Sequence, residues 1–181
     1  MIYFFLADGL EETELIAALD LVKRAGIFAK TVSVTGQKAV TGTHGIIIQA
    51  DAVIKEVNFD DAEMLVLPGG MPGTKNLENC TLLKEAVLSF AQDGKWLAAI
   101  CAAPSIFGKL GLLKGKRATC FPGYEKSLKG AEVTDLPAVT DGKIITGKAM
   151  GCVFEFGFEI IKALKGEMTA KDVLRGICYE K

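Results

Sequence analysis

The chain has 181 residues, half of them apolar, a formal net charge of −1 and a single histidine. That length fits one domain with a full core, so residues 1–181 are read as a single domain. The near-neutral balance gives no reason to expect nucleic acid or a membrane surface as partner, and one histidine nearly excludes a histidine-rich zinc site.

The opening MIYFFLA (1–7) reads as a buried strand, without the basic flank of a signal peptide. EETELIAALDLVKRAG (11–26) has apolar residues at 15, 18, 19 and 22, an acidic first turn, a basic last turn and a closing Gly26; this predicts a helix. AKTVSVTG (29–36) predicts a second strand, and HGIIIQAD (44–51) is strand-like and β-branched. AEMLVLPGG (62–70) is a continuous apolar run ending in Pro-Gly-Gly, as central parallel strands are. Residues 81–92 form an amphipathic helix, 95–100 a strand, 102–112 a helix, and RATCF (117–121) a strand. PAVTDGKIITG (137–147) sets Asp-Gly between β-branched runs and predicts a hairpin. GCVFEFGFEIIKALKG (151–166) is a final long helix. No run approaches the ~20 apolar residues of a membrane span.

This alternation predicts an α/β fold, a mostly parallel sheet with helices on both faces. In such sheets the working groups gather beyond the carboxyl ends of the strands. ADGLEETE (7–14), LPGGMPGT (67–74) and CAAP (101–104) would then meet there. Five cysteines without CxxC spacing argue against a disulfide framework and for a reducing, cytoplasmic setting.

Cys101 stands between an apolar strand and a helix, followed by two alanines and a proline. One reading is a nucleophile elbow, with the thiol held above the sheet and its pKa lowered by the helix N-terminus. The other is a small buried hydrophobe. The glycines of LPGGMPG either end a strand or let backbone approach a reacting atom, with the N–H groups of Gly70 and Ala102 as oxyanion donors. Without a Lys-Ser/Thr ending this is no phosphate loop, and the acidic first loop is unsuited to a flavin phosphate; no cofactor and no metal are expected. Glu14 directly precedes the apolar helix face and is the candidate for an inward, protonated carboxyl beside the thiol. His44 reads as a solvent-facing or edge residue, and Cys120 as a strand-end cysteine bordering the same rim.

Taken together, ADGLEETE with KRAG, LVLPGG with Asn76-Leu77, AAICAAP, and FEF with ALKG resemble the ThiJ/PfpI superfamily in its DJ-one branch, nearly end to end. The resemblance implies a flavodoxin-like sandwich, a homodimer, Cys101 as an oxidation-prone nucleophile and Glu14 as the protonated acid that hydrogen-bonds it. It implies small reactive carbonyls or peroxide as reactants, through either oxidative stress sensing or cofactor-independent glyoxalase or deglycase chemistry. One departure matters. The branch has a His-Pro pair after the elbow helix, where this chain has Phe121-Pro122, and the protease-like branch has a histidine where this chain has Ala102. His44 and Arg24 are the accessory residues expected near a shared dimer face.

Overall fold

The structure, a computed structural model, describes residues 1–179. The strands are β1 (Ile2–Leu6), β2 (Ala29–Ser33), β3 (Ala39–Thr41), β4 (Ile47–Gln49), β5 (Ala52–Val53), β6 (Met64–Leu67), β7 (Trp96–Ile100), β8 (Arg117–Ala118), β9 (Glu132–Val133), β10 (Ala138–Asp141) and β11 (Ile144–Gly147). The helices are α1 (Glu12–Arg24), α2 (Gly73–Asn79), α3 (Thr81–Gln92), α4 (Pro104–Lys109), α5 (Val153–Lys165) and α6 (Glu167–Gly176).

Seven strands form the main sheet in the order β10-β11-β7-β6-β1-β2-β5. All its pairs are parallel except the β10–β11 hairpin. Side chains alternate across the sheet. Ile2, Phe4 and Leu6 of β1 pack with α1 and α5 on one face, while Tyr3 and Phe5 pack with α3 and α4 on the other. Burial on both faces is why β1, β6 and β7 read as unbroken apolar runs.

Several boundaries move. RATCF supplies only the two-residue β8, which pairs with β9 in a separate small sheet. Thr119 has left the ladder and donates its N–H to Oγ1 of Thr146 at 3.0 Å. The β-branched stretch at 44–51 contributes only Ile47–Gln49, as one arm of a β3–β4 hairpin that stands apart from the main sheet. The last predicted helix stops at Lys165, because Gly166 takes φ +87° and a new helix, α6, starts behind it. Among the described residues no helix is long and apolar enough to cross a membrane.

Candidate functional site

Cys101 is the first residue after β7, and its φ is +65°. A side chain in this left-handed region costs roughly 1–2 kcal/mol, so the surroundings must impose it. They do so through both backbone groups. The Cys101 N–H donates to Gly147 at 2.9 Å, and its carbonyl accepts the Phe121 N–H at 2.8 Å. β7 is thus held on one side by β11 and at its tip by the segment after β8. Ala102 and Ala103 are buried behind the turn, and Pro104 opens α4.

Glu14 comes from the first turn of α1 and is 1% exposed. The loops after β1 and β6 are stitched together to place it. Glu11 donates its N–H to Gly69 at 3.0 Å, and Gly73 donates to Gly9 at 3.0 Å. Gly69 in turn donates to Oε2 of Glu14 at 2.7 Å, while Oε1 has no hydrogen-bond partner. Gly69 is a site residue that the sequence reading missed. A Cβ there would lie 2.6 Å from Cβ of Cys101, 2.8 Å from Oε2 of Glu14 and 3.0 Å from the Ile100 carbonyl. The doubled glycine was the available signal. Gly70, at φ +88°, has no room for a side chain either, because a Cβ would run into the Leu10–Glu11 backbone.

The backbone N–H groups of Gly70 and Ala102 and the Glu14 carboxyl all act electrostatically on the sulfur. Burial raises Glu14 from 4.5 to about 7, against the opposing Gly69 N–H and the contact with Cys101. The sequence reading expects a lowered thiol pKa. Instead burial first, and then the neighbouring Glu14 charge and its hydrogen bond, push Cys101 up to about 12, although the two N–H groups pull the other way. α4 is only six residues long and offers little dipole to offset this. Two sites this close titrate as a pair. Between about pH 7 and about pH 12 the pair holds one proton. In that window the proton stays mainly on the sulfur, with the thiol donating to ionised Glu14; the thiolate, with the proton on Glu14, is the minor form in exchange with it.

The remaining acids of the first loop do other work. The Glu11 side chain accepts the Thr13 N–H at 3.4 Å and caps α1. Glu12 accepts the His44 N–H at 2.8 Å on Oε1 and meets His44 Nδ1 at 2.8 Å on Oε2, tying the β3–β4 hairpin to α1. Burial pushes Glu12 up, but the His44 hydrogen bond and backbone N–H groups outweigh it and hold the carboxyl below its ordinary value. The same bond, with the charges of Glu11 and Glu12, raises His44. His44 is 66% exposed and pairs with Glu12 rather than with Cys101. Ligand atoms of Glu11, Glu12 and His44 lie within 4.8 Å of one another, the one such cluster of three among the described residues. Arg24 lies at the opposite end of α1, roughly 15 Å along the axis from Glu14, and pairs with Asp20 at 2.6 Å. It is not part of the Cys101 site of its own chain. Cys120 is 5% exposed and packs in the core, two residues past the end of β8.

This architecture is shared. DJ-1 homolog B of Arabidopsis thaliana is 36% identical over 170 residues, 93% of this chain and 39% of that protein, so the chain spans well under half its length. A deglycase of Pyrococcus abyssi is 32% identical over 161 residues, covering 88% of this chain and 96% of that one. The crystal structure of Drosophila melanogaster DJ-1beta superposes with a TM-score of 0.94 at 31% identity, over 99% of this chain and 98% of that one. The DJ-1/PfpI family model matches residues 1–163, and the chain belongs to that family.

Proposed function

We propose that this protein is a cysteine-based responder to oxidative or carbonyl stress, with Cys101 as the reactive group and Glu14 as its proton partner. The observation that carries this is a left-handed cysteine facing a carboxyl that is 1% exposed and raised to about 7. Backbone strain at a non-glycine residue persists only where its surroundings over-determine it, and such residues cluster at functional sites. Peroxide attacks the thiolate: the sulfur displaces hydroxide from the O–O bond, and the product is a sulfenic acid, which a second equivalent takes to sulfinic acid. In this reading the N–H groups of Gly70 and Ala102 and the Glu14 hydroxyl are the donors for the oxygens so formed, a role supported by the effect of all three groups on the sulfur.

A second reading is favoured by the resemblance to the P. abyssi deglycase and by the unpartnered Oε1 of Glu14. Here the thiolate adds to the aldehyde carbon of an α-oxoaldehyde, and the oxygen takes a proton, giving a hemithioacetal. Ionised Glu14 removes the proton from that carbon, and a proton returns to the neighbouring ketone carbon. Water hydrolyses the resulting thioester and frees the thiol. One carbon is oxidised and its neighbour reduced, so no outside redox partner is needed. Phe121 stands where a proton-transferring histidine would be expected, and without one we expect turnover roughly 100-fold below that of histidine-containing relatives.

The expected partner is a second copy of the chain. Ile16, Ile46 and Ile47 are 48%, 57% and 68% exposed and form one apolar face across α1 and the β3–β4 hairpin. Peroxide titration with mass spectrometry of Cys101, run beside a methylglyoxal-to-lactate assay, tests the two readings. Stepwise addition of oxygen to Cys101 with little lactate supports the first. Repeated turnover to lactate, slow but catalytic, without oxidation supports the second. An inert Cys101 in both assays defeats both.

A further inference from the structure

A cleft of about 300 Å³ opens between α2 and α4, and neither Cys101 nor Glu14 lines it. That volume is at the small end of the range for small-molecule sites. α2 supplies Thr74 and Asn79, α4 supplies Ser105 and Lys109, and the turn after β8 adds Tyr124 and Ser127. These walls are tied together. Lys109 Nζ donates across the cleft to both carboxylate oxygens of Glu78, at 2.8 and 2.7 Å. The turn lies directly on α4 because Gly108 has no side chain; a Cβ there would run into the Ser127 carbonyl. The turn itself is held by Glu125, whose two oxygens accept the Gly123 N–H at 3.0 and 2.8 Å.

Two hydroxyls in these walls lack the partners that burial demands. Thr74 and Ser105 are each 2% exposed. A hydroxyl inside a helix ordinarily bonds to a carbonyl one turn back, and a buried one left without a partner costs free energy. The Gly70 carbonyl, one turn before Thr74, takes the Thr74 N–H at 2.9 Å, and Thr74 Oγ1 has no partner among the described residues. The Ser105 hydroxyl makes no hydrogen bond among them either. The rest of the lining offers both donors and acceptors. Asn79 has both, Glu78 keeps spare lone pairs, and Lys109 keeps an N–H beyond its ion pair. An anion would face the Glu78 carboxylate. An apolar molecule would strip these groups of water and return no hydrogen bonds. A molecule with hydroxyls on most of its carbons answers donors and acceptors alike.

We propose that the cleft between α2 and α4 is a second binding site, for a small uncharged polyhydroxylated molecule: a monosaccharide or a cyclic polyol. Thr74 and Ser105 are its buried contacts, and Asn79, Glu78 and Lys109 are its rim. Tyr124 contributes a ring as well as a hydroxyl, the combination that suits a ligand with both C–H and O–H groups. This goes beyond the chemistry of Cys101 and does not depend on it.

The test is a titration of the whole protein, labelled with 13C-methyl threonine and methionine. The probes are D-glucose, D-ribose and myo-inositol, with cyclohexanol and inorganic phosphate as controls. At least one of the three polyols is expected to shift the methyl resonances of Thr74 and Met71, which both line the cleft, in a saturable way. Its half-saturation should lie about ten-fold or more below that of either control. Thr74→Val then keeps the shape of the side chain and removes the hydroxyl. Because that hydroxyl has no partner within the protein, the melting temperature should not fall, while affinity for the polyol falls about ten-fold. If the valine variant melts earlier, Asn79→Ala takes its place as a change on the exposed rim, with a loss of about three-fold or more. No saturable shift of Thr74 and Met71 with any of the three polyols would overturn the site. So would phosphate or cyclohexanol binding as tightly, or undiminished affinity in the deciding variant. None of these results depends on whether Cys101 reacts; the peroxide and methylglyoxal assays decide that separately.

Discussion

Replacing Glu14 by glutamine should change how stability depends on pH. In the unfolded chain the Glu14 carboxyl loses its proton near the ordinary 4.5; in the native protein it holds it to about 7. Between those values the native state binds more protons than the unfolded state, so stability falls as pH rises through the window. A rise from 4.5 to about 7, at 1.36 kcal/mol per pH unit, amounts to about 3 kcal/mol, fully felt above pH ~7. Glutamine is nearly isosteric with the protonated acid, can accept the Gly69 N–H and never ionises. Glu14→Gln should therefore match wild type near pH 4 and exceed it by up to about 3 kcal/mol near pH 8, below the range in which Cys101 itself would titrate. Urea unfolding of both proteins at one-unit steps from roughly pH 4 to 8 measures this difference. A difference that stays constant with pH, or that favours wild type at pH 8, would show that the buried carboxyl is not held protonated.

Gly69→Ala should destabilise by about 1–3 kcal/mol and slow Cys101 oxidation, because the new Cβ meets the Ile100 carbonyl as well as Cys101 and Glu14; thermal melts and mass spectrometry read the two effects. Ile47→Asp, on the exposed apolar face, should turn a dimer into a monomer in sedimentation at micromolar concentration, and an unchanged mass would remove that face as the interface. Phe121→His should raise methylglyoxal turnover, since that backbone is already hydrogen-bonded to Cys101; an unchanged rate would show that the new imidazole does not reach the reacting carbon.

The parts of this molecule that were legible in the sequence are those set by local chemistry or by strict periodicity. The joint at Cys101 could be read because an apolar run, two small residues and a proline leave little but a tight strand-to-helix turn. The β10–β11 hairpin could be read from Asp-Gly, and Gly142 does take φ +59°. Short elements were not legible. β3 has three residues, and α2 begins directly after Met-Pro, where glycine and proline read as loop. Distinguishing the acids at 11, 12 and 14 needed partners 32 and 55 residues away, His44 and Gly69. The direction of the Cys101 shift was misjudged for the same reason. A helix start is visible in sequence, whereas the burial that dominates the thiol is a property of the packed protein.

The central claim is that Cys101 and Glu14 share one proton across neutral pH, and the rate of Cys101 alkylation by iodoacetamide against pH tests it most directly. If the pair shares a proton, the rate should climb about ten-fold per pH unit up to about pH 7, where the first proton leaves, and then stay level through roughly pH 10, since the fraction with thiolate and protonated Glu14 is constant there. The level stretch should vanish in Glu14→Leu. A wild-type rate that keeps climbing ten-fold per unit through pH 9 would be that of a lone buried thiol pushed up to about 12, and would contradict the account.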